Sequence, residues 1–306
     1  MVSTLTADGR FEIELPPYFE PDRTLQYLGR DAASVSEKVE GRTFTFTTRT
    51  RGTPGRVRVE LRGDRADCTF AAGTVAAVGR GELDAEVVRT RTTRLLGLVI
   101  DPRPFEARAT DDPVIARLVQ GRSGLTIPQT ATVFDALVWV IAGQQVSLPV
   151  AFALRRRLAR RVGTPVGDGL YAPPEPQAIA ELEPADLHAI SYSRRKAEYL
   201  LDIARAIVDG RFDPEALRTM PAARIEEQLL AIRGLGPWSV NYLMMRALGL
   251  PDCVPVGDAA LTRNLKRFFA LDERPGPDET RRLMAPFAPH RSLATFQFWA
   301  WQEEYQ

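Results

Sequence analysis

The chain has 306 residues, 44% of them hydrophobic and 26% charged, and its 40 Lys and Arg against 39 Asp and Glu leave a net charge of +1. This is the composition of a soluble globular protein, long enough for two domains or for one large domain with a lobe, and its charge balance argues against tight non-specific binding to nucleic acid. The two cysteines, Cys68 and Cys253, exclude a disulfide framework and a four-thiolate cluster, and the longest apolar runs, such as 136–142, are too short to span a bilayer.

In chain order, the first ten residues lack the basic and apolar regions of an export signal, so none is expected. Segments 11–15, 43–49, 57–61 and 68–72 are rich in Val, Thr and Phe with partial alternation, which predicts strands. Arg51-Gly52-Thr53-Pro54-Gly55 predicts a turn between two of them. Segments 22–35 and 85–98 predict helices of the same lobe. Residues 1–98 therefore read as a small α+β lobe with an antiparallel sheet.

From residue 101 the strand signals vanish. Helical patterns at 111–120, 131–144, 148–162, 176–182, 184–190, 194–209, 222–232, 237–248, 258–269, 277–287 and 291–301 are separated by Pro- and Gly-rich turns. Residues 99–306 are thus expected to form an all-α unit of about ten helices, with 163–176 as a loop and no internal repeat. The overall class is α+β.

Positive charge is nearly all arginine, the only lysines being Lys38, Lys196 and Lys266. Segment 154–162, LRRRLARRV, carries five arginines and no acid, and Arg194, Arg195 and Lys196 form a second cluster. Such runs suit a solvated helix face, and they are also candidate phosphate contacts that would set position and affinity rather than sequence preference.

The most informative stretch is 229–267. Apolar residues at Ile225, Leu229, Leu230 and Ile232 have near-helical spacing, and Gly234-Leu235-Gly236 ends that helix because glycine reaches backbone angles closed to other residues. Pro237 suits the first position of a following helix, which Trp238, Val240, Tyr242, Leu243, Met245 and Leu248 continue. The free N–H groups at the start of that helix, with the positive end of its dipole behind them, make an anion site. Gly249 and Pro251 end it. Past a short apolar segment and Gly257, Asp258 opens another helical pattern. An Asp there is a cap, and a capping carboxylate is rigid and can still face a cleft.

These motifs resemble the helix-hairpin-helix DNA glycosylase superfamily, and within it the DNA-3-methyladenine glycosylase II, or alkylation-repair, branch. The resemblance rests on I-x-G-L-G-P-W at 232–238, V-P-x-x-D at 254–258, Ile141-Ala142-Gly143-Gln144-Gln145-Val146-Ser147, and Pro289-His290-Arg291-Ser292 followed by Trp299. Order and separation agree from about Arg94 onward. The N-terminal part matches more weakly, through Leu15-Pro16-Pro17-Tyr18.

The resemblance implies a helix-hairpin-helix catalytic unit with a cleft and a division of labour. Gly234, Leu235, Gly236 and Ser239 would hold the DNA backbone, Gln144 and Gln145 would fill the gap left by a displaced base, and Trp238, Tyr242 and Trp299, with Tyr27 from the N-terminal lobe, would line the base pocket. Asp258 would be the catalytic acid. Some relatives have a large side chain at the place of Gln145, an Asp at that of Gly257 and an aromatic at that of Ala300. Bifunctional members have a lysine where Trp238 stands, so water is the expected nucleophile and no strand nicking is expected. With two cysteines the chain cannot hold the iron–sulfur cluster of some members. No metal is required, although a monovalent cation at the hairpin is implied when DNA is bound. The expected partner is double-stranded DNA containing a damaged base, the expected state a monomer without membrane association, and the expected location the bacterial cytoplasm at the nucleoid.

The chemistry has its own logic. A stacked base must be swung out before its glycosidic bond can be reached, at a cost of a few kcal/mol for unstacking. That requires a grip on phosphate, a wedge, a pocket and a group to assist cleavage. Two other functions fit the same motifs: a glycosylase of this superfamily acting on oxidised or deaminated bases, and a DNA-binding protein without catalysis.

Overall fold

The computed structural model describes residues 9–73 and 82–301, so most of the segment inspected for an export signal lies outside the described residues. Alternation builds the sheet. Strands β1 (Arg10–Glu14), β2 (Glu37–Glu40), β3 (Thr43–Thr50), β4 (Thr53–Arg62) and β5 (Arg65–Ala72) form one antiparallel sheet in the order β1-β5-β4-β3-β2. Phe11, Ile13, Phe44, Phe46, Val57, Val59, Leu61, Ala66 and Cys68 are buried on one face, and charged residues occupy the other, as expected of an antiparallel sheet with one covered side. The register pairs Phe44 with Val59 and Val59 with Cys68.

The β3–β4 turn is shorter than expected. Only Arg51 and Gly52 lie outside the strands, at φ +46° and +79°, and Pro54 is paired within β4 opposite Arg49. Two central residues at positive φ match the right-handed strand twist. Two further differences concern strands. β2 was not expected. Segment 163–176 is not merely a loop, since Thr164–Gly167 and Leu170–Ala172 form a hairpin, β6–β7. Its turn residues, Asp168 and Gly169, have φ +51° and +72°, and Asp-Gly between short apolar segments is the signal that identifies it.

Most helices fall where periodicity put them, with ends shifted inward by a few residues: Val133–Gly143, Leu148–Val162, Arg194–Val208, Ala222–Leu230, Pro237–Arg246, Ala259–Phe268 and Arg291–Ala300. The helix expected over 22–35 is confined to Pro21–Leu28, and a short helix at Arg103–Ala107 was not foreseen.

Spatial grouping does not follow chain order. One compact unit comprises the described residues of 1–17, 21–95 and 130–215, and the other those of 18–20, 96–129 and 216–306. The sequence pattern places the division at 98/99. In the structure the sheet groups with Val133–Gly143, Leu148–Val162 and Arg194–Val208. Ion pairs tie these elements together within the first unit: Arg155 holds Glu37 at 2.8 Å, and Arg156 holds Asp31. In the second unit, Phe105, Phe268, Phe287 and Phe298 pack edge-on around a core. The buried Arg122 is satisfied there by the Leu118 carbonyl at 2.6 Å and by Gln297 at 3.2 Å.

Candidate active site

The second unit carries the hairpin. Helix Ala222–Leu230 ends with Ile232 N donating to Leu229 and Leu235 N to Ile232. Gly234, at φ +94°, makes the reversal in the left-handed region that L side chains avoid. Gly236 is different: it is extended, at φ −101° and ψ −179°, and a Cβ there would meet nothing within 4 Å. Gly234 is demanded by backbone conformation, whereas a bare Gly236 leaves open space beside the helix start. Pro237 is the first helical residue and Val240 makes the first intrahelical bond, to Gly236, so the N–H groups of Trp238 and Ser239 lie in the unbonded first turn. Leu235 and Ser239 are buried; what they offer an outside ligand is main chain, not side chain.

The loop from this helix to Asp258 is fixed by polar contacts that the sequence reading did not identify. Asn241 Oδ1 accepts from Val254 N at 3.1 Å, and its Nδ2 donates to the Pro237 carbonyl at 3.1 Å. Ser292 Oγ accepts from Cys253 N at 3.0 Å and donates to the Leu250 carbonyl at 2.7 Å. Arg291 grips both oxygens of Asp252, at 2.6 and 2.7 Å, and holds that carboxyl below its ordinary value. Arg291 and Ser292 of the Pro-His-Arg-Ser segment therefore clamp the loop that leads to Asp258. Burial pushes the Cys253 thiol up to about 12, which leaves it inert as a nucleophile.

Asp258 caps helix Ala259–Phe268, its Oδ1 accepting from Leu261 N at 2.7 Å. The same oxygen accepts from Trp299 Nε1 at 3.0 Å, and Oδ2 accepts from Trp238 Nε1 at 3.2 Å. Two indoles from different helices thus hold one half-buried carboxylate. Tyr242 lies between them, its ring centroid 5.7 Å from Trp238 and 6.0 Å from Trp299. The spacing of Trp238 and Tyr242 on one helix gives them a common face; Trp299 arrives from Arg291–Ala300. Arg246, one turn past Tyr242, is buried with its guanidinium 5.8 Å from the Tyr242 ring, and burial brings its pKa down to about 9. Periodicity gave no signal for a cation at that core position.

Asp258, Trp238, Tyr242 and Trp299 therefore come together in the second unit with Gly234, Leu235, Gly236 and Ser239. Tyr27, Gln144 and Gln145 belong to the first unit. Tyr27 carries the Arg30 guanidinium 3.4 Å over its ring. Gln144 ends helix Val133–Gly143, and Gln145 is exposed at φ +53°.

The arginine clusters need correction. Arg155 and Arg156 are engaged by Glu37 and Asp31, Arg161 by Asp186, and Lys196 is buried against the carbonyl of Ala142. Of the expected phosphate contacts in these clusters, Arg157, Arg160, Arg161, Arg194 and Arg195 are exposed, with Arg161 and Arg194 also paired to Asp186 and Glu198. Among the described residues, no helix is long and apolar enough to cross a membrane.

Residues 138–289 match the family described as HhH-GPD superfamily base excision DNA repair protein. Over 290 residues, the chain is 28% identical to a DNA-3-methyladenine glycosylase of Bacillus subtilis, covering 94% of this chain and 95% of that one. Its fold is similar to that of a 3-methyladenine DNA-glycosylase from Archaeoglobus fulgidus, with a TM-score of 0.82 at 20% identity over 96% and 99% of the two chains. It is also similar to that of a Clostridium acetobutylicum 8-oxoguanine glycosylase/lyase bound to double-stranded DNA, with a TM-score of 0.75 at 15% identity over 100% and 99%.

Proposed function

The chain belongs to the helix-hairpin-helix superfamily of DNA glycosylases, in its alkylation-repair branch, and we propose that it hydrolyses the N-glycosidic bond of alkylated purines in duplex DNA. The observation that carries this reading is the carboxylate of Asp258, held by two tryptophan N–H groups in the same unit as the glycine hairpin.

Duplex DNA is the partner the hairpin suits. The unbonded N–H groups of the first helical turn, beside the open space at Gly236, would pin a phosphate next to the displaced nucleotide. As the C–N bond lengthens, the sugar takes on oxocarbenium character. A fixed carboxylate stabilises that charge without reorganising, and it can orient the attacking water. Trp238, Tyr242 and Trp299 supply electron-rich surfaces for a base made cationic by alkylation, an attraction worth roughly 0.5–2 kcal/mol. Such a base is already a good leaving group, so a strong general acid is not needed.

Trp238 stands where a lysine nucleophile would have to be, so water completes the reaction and an abasic site remains. A monovalent cation at the hairpin would be held by main-chain carbonyl oxygens of the turn. When bound, it would supply positive charge beside the pinned phosphate.

The test is release of free 3-methyladenine and 7-methylguanine from methylated duplex DNA by the wild-type chain and by Asp258→Asn. Base release by the wild type, largely lost in the variant, with strands intact until alkali treatment, is the expected result. Equal release from both, including none, removes the catalytic reading. Reductive trapping of a covalent enzyme–DNA adduct removes the water mechanism. Duplexes carrying 8-oxoguanine or hypoxanthine test the other lesion classes.

A further inference from the structure

The turn at Gln144–Gln145 places Gln145, an exposed residue, in an unfavourable backbone conformation. Helix Val133–Gly143 ends at Gln144, and Gln145 adopts φ +53°, in the left-handed region that a residue with a Cβ seldom occupies. Residues 145–150 are all exposed, Leu148 and Val150 at 43% and 45%. The helix end that leads into the turn is held from within the fold.

Beneath it lies Lys196, only 7% exposed, whose Nζ donates to the carbonyl of Ala142 in the last turn of that helix. Carbonyls there have no intrahelical N–H partner, and a cation at that end also meets the negative pole of the helix dipole. Lys196 is presented by the first turn of Arg194–Val208, whose N-cap Ser193 accepts from Lys196 N at 3.4 Å. It is one of three lysines in a chain that otherwise uses arginine for positive charge. A compact ammonium on a flexible stem suits a single carbonyl better than a planar guanidinium does. Burial lowers its pKa, a cost that the carbonyl bond offsets.

We propose that Lys196 is a positioning residue: through the Ala142 carbonyl it fixes the end of helix Val133–Gly143 and so holds Gln144 and Gln145 in the geometry that fills the gap left by a flipped nucleotide. The inference rests on the reading of this turn as the wedge. It also removes Lys196 from the phosphate contacts, so its charge does not enter the salt dependence of binding.

Lys196→Met, Gln145→Ala and the double variant of the full chain, with Lys196→Gln as a second probe, test it. Affinity is measured for a duplex with a tetrahydrofuran abasic analogue and for the undamaged duplex, alongside thermal melting. The expected result is that Lys196→Met loses about tenfold in affinity for the abasic duplex, the scale of one hydrogen bond to a charged group, keeps its undamaged-duplex affinity and salt slope, and adds nothing to the loss in Gln145→Ala. An unchanged preference for abasic DNA, an equal loss on both duplexes, or a fully additive double variant overturns it. If the methionine variant does not fold, Lys196→Gln must show the same selective loss. Wild-type binding of both duplexes by Gln145→Ala removes the wedge reading itself, a result distinct from failure of the lysine variants alone.

Discussion

Trp299 donates its indole N–H to Oδ1 of Asp258 at 3.0 Å, and that oxygen is also the cap of Leu261 N at 2.7 Å. Folding and chemistry are thus joined in one atom: the bond that ends a helix's unsatisfied donors also freezes the rotamer of the proposed catalytic group. Asn is as good a cap as Asp. Asp258→Asn keeps the Leu261 cap but turns its second oxygen into a donor facing the Trp238 N–H, so it is expected to lose about 1 kcal/mol of stability while its single-turnover base release falls on the order of 10²–10³-fold, the scale for removing one preorganised electrostatic group. Asp258→Ala should in addition lose about 1 kcal/mol of stability. Melting curves and base-release rates check both, and an Asn variant that unfolds would show the carboxylate to be structural first.

The two indoles hold Asp258 through N–H, apart from the base-facing role proposed for their rings. Trp238→Phe and Trp299→Phe retain a smaller aromatic ring and delete the donor to Asp258. Each is expected to slow the chemical step about tenfold, as loss of one charge-assisted hydrogen bond does, with a smaller change in substrate KM. A change confined to KM would mean that the rings matter only for holding the base.

Gly234 and Gly236 should respond oppositely to alanine. At φ +94°, Gly234→Ala strains the backbone and is expected to cost about 1–2 kcal/mol of stability. Gly236→Ala meets no atom within 4 Å and sits at φ −101°, so it should fold normally and instead weaken DNA binding by filling the space a phosphate needs. Thermal melts and titrations at fixed salt separate the two effects. Normal DNA binding by Gly236→Ala would argue that no ligand approaches there.

The clamp on the loop before Asp258 has a pH signature. Arg291 lowers the Asp252 pKa from its ordinary 3.8. A carboxyl whose folded pKa is depressed contributes stability that is complete above the unfolded value and disappears as pH falls through the folded one. The loss therefore lies below about pH 4. Both side chains are about one-third exposed, which limits the pair to about 1 kcal/mol. Asp252→Asn should lose that amount at neutral pH and show a flatter stability profile in acid. Denaturant unfolding at pH 7 and pH 3 measures it; identical differences at both pH values would contradict the assignment.

Much of this was readable from residue patterns. Period-2 alternation at Phe44, Phe46, Val57 and Val59 gives a half-buried sheet, because each strand's side chains alternate between water and core. Gly234, Pro237 and Asp258 mark a turn, a helix start and a cap by local backbone chemistry, which needs no distant partner. The β6–β7 hairpin carried a local signal too, in Asp168-Gly169. The assignment of Lys196, Arg155 and Arg156 to a solvent-facing cluster failed because a charge run does not reveal which of its members find a buried carbonyl or a carboxylate more than 100 positions away.

The sequence by itself determined most of the elements and the residue types of the candidate site, since helix spacing, glycine freedom and capping are properties of neighbouring residues. Only the tertiary structure decided that Trp299 and Trp238 would meet on the two oxygens of Asp258, that Arg291 and Ser292 would clamp the loop before it, and that Lys196 would turn inward to Ala142. Each of these is a hydrogen bond between segments far apart in the chain. Directional bonds of that kind form only where packed helices bring donor and acceptor within about 3 Å, a condition that no local pattern encodes.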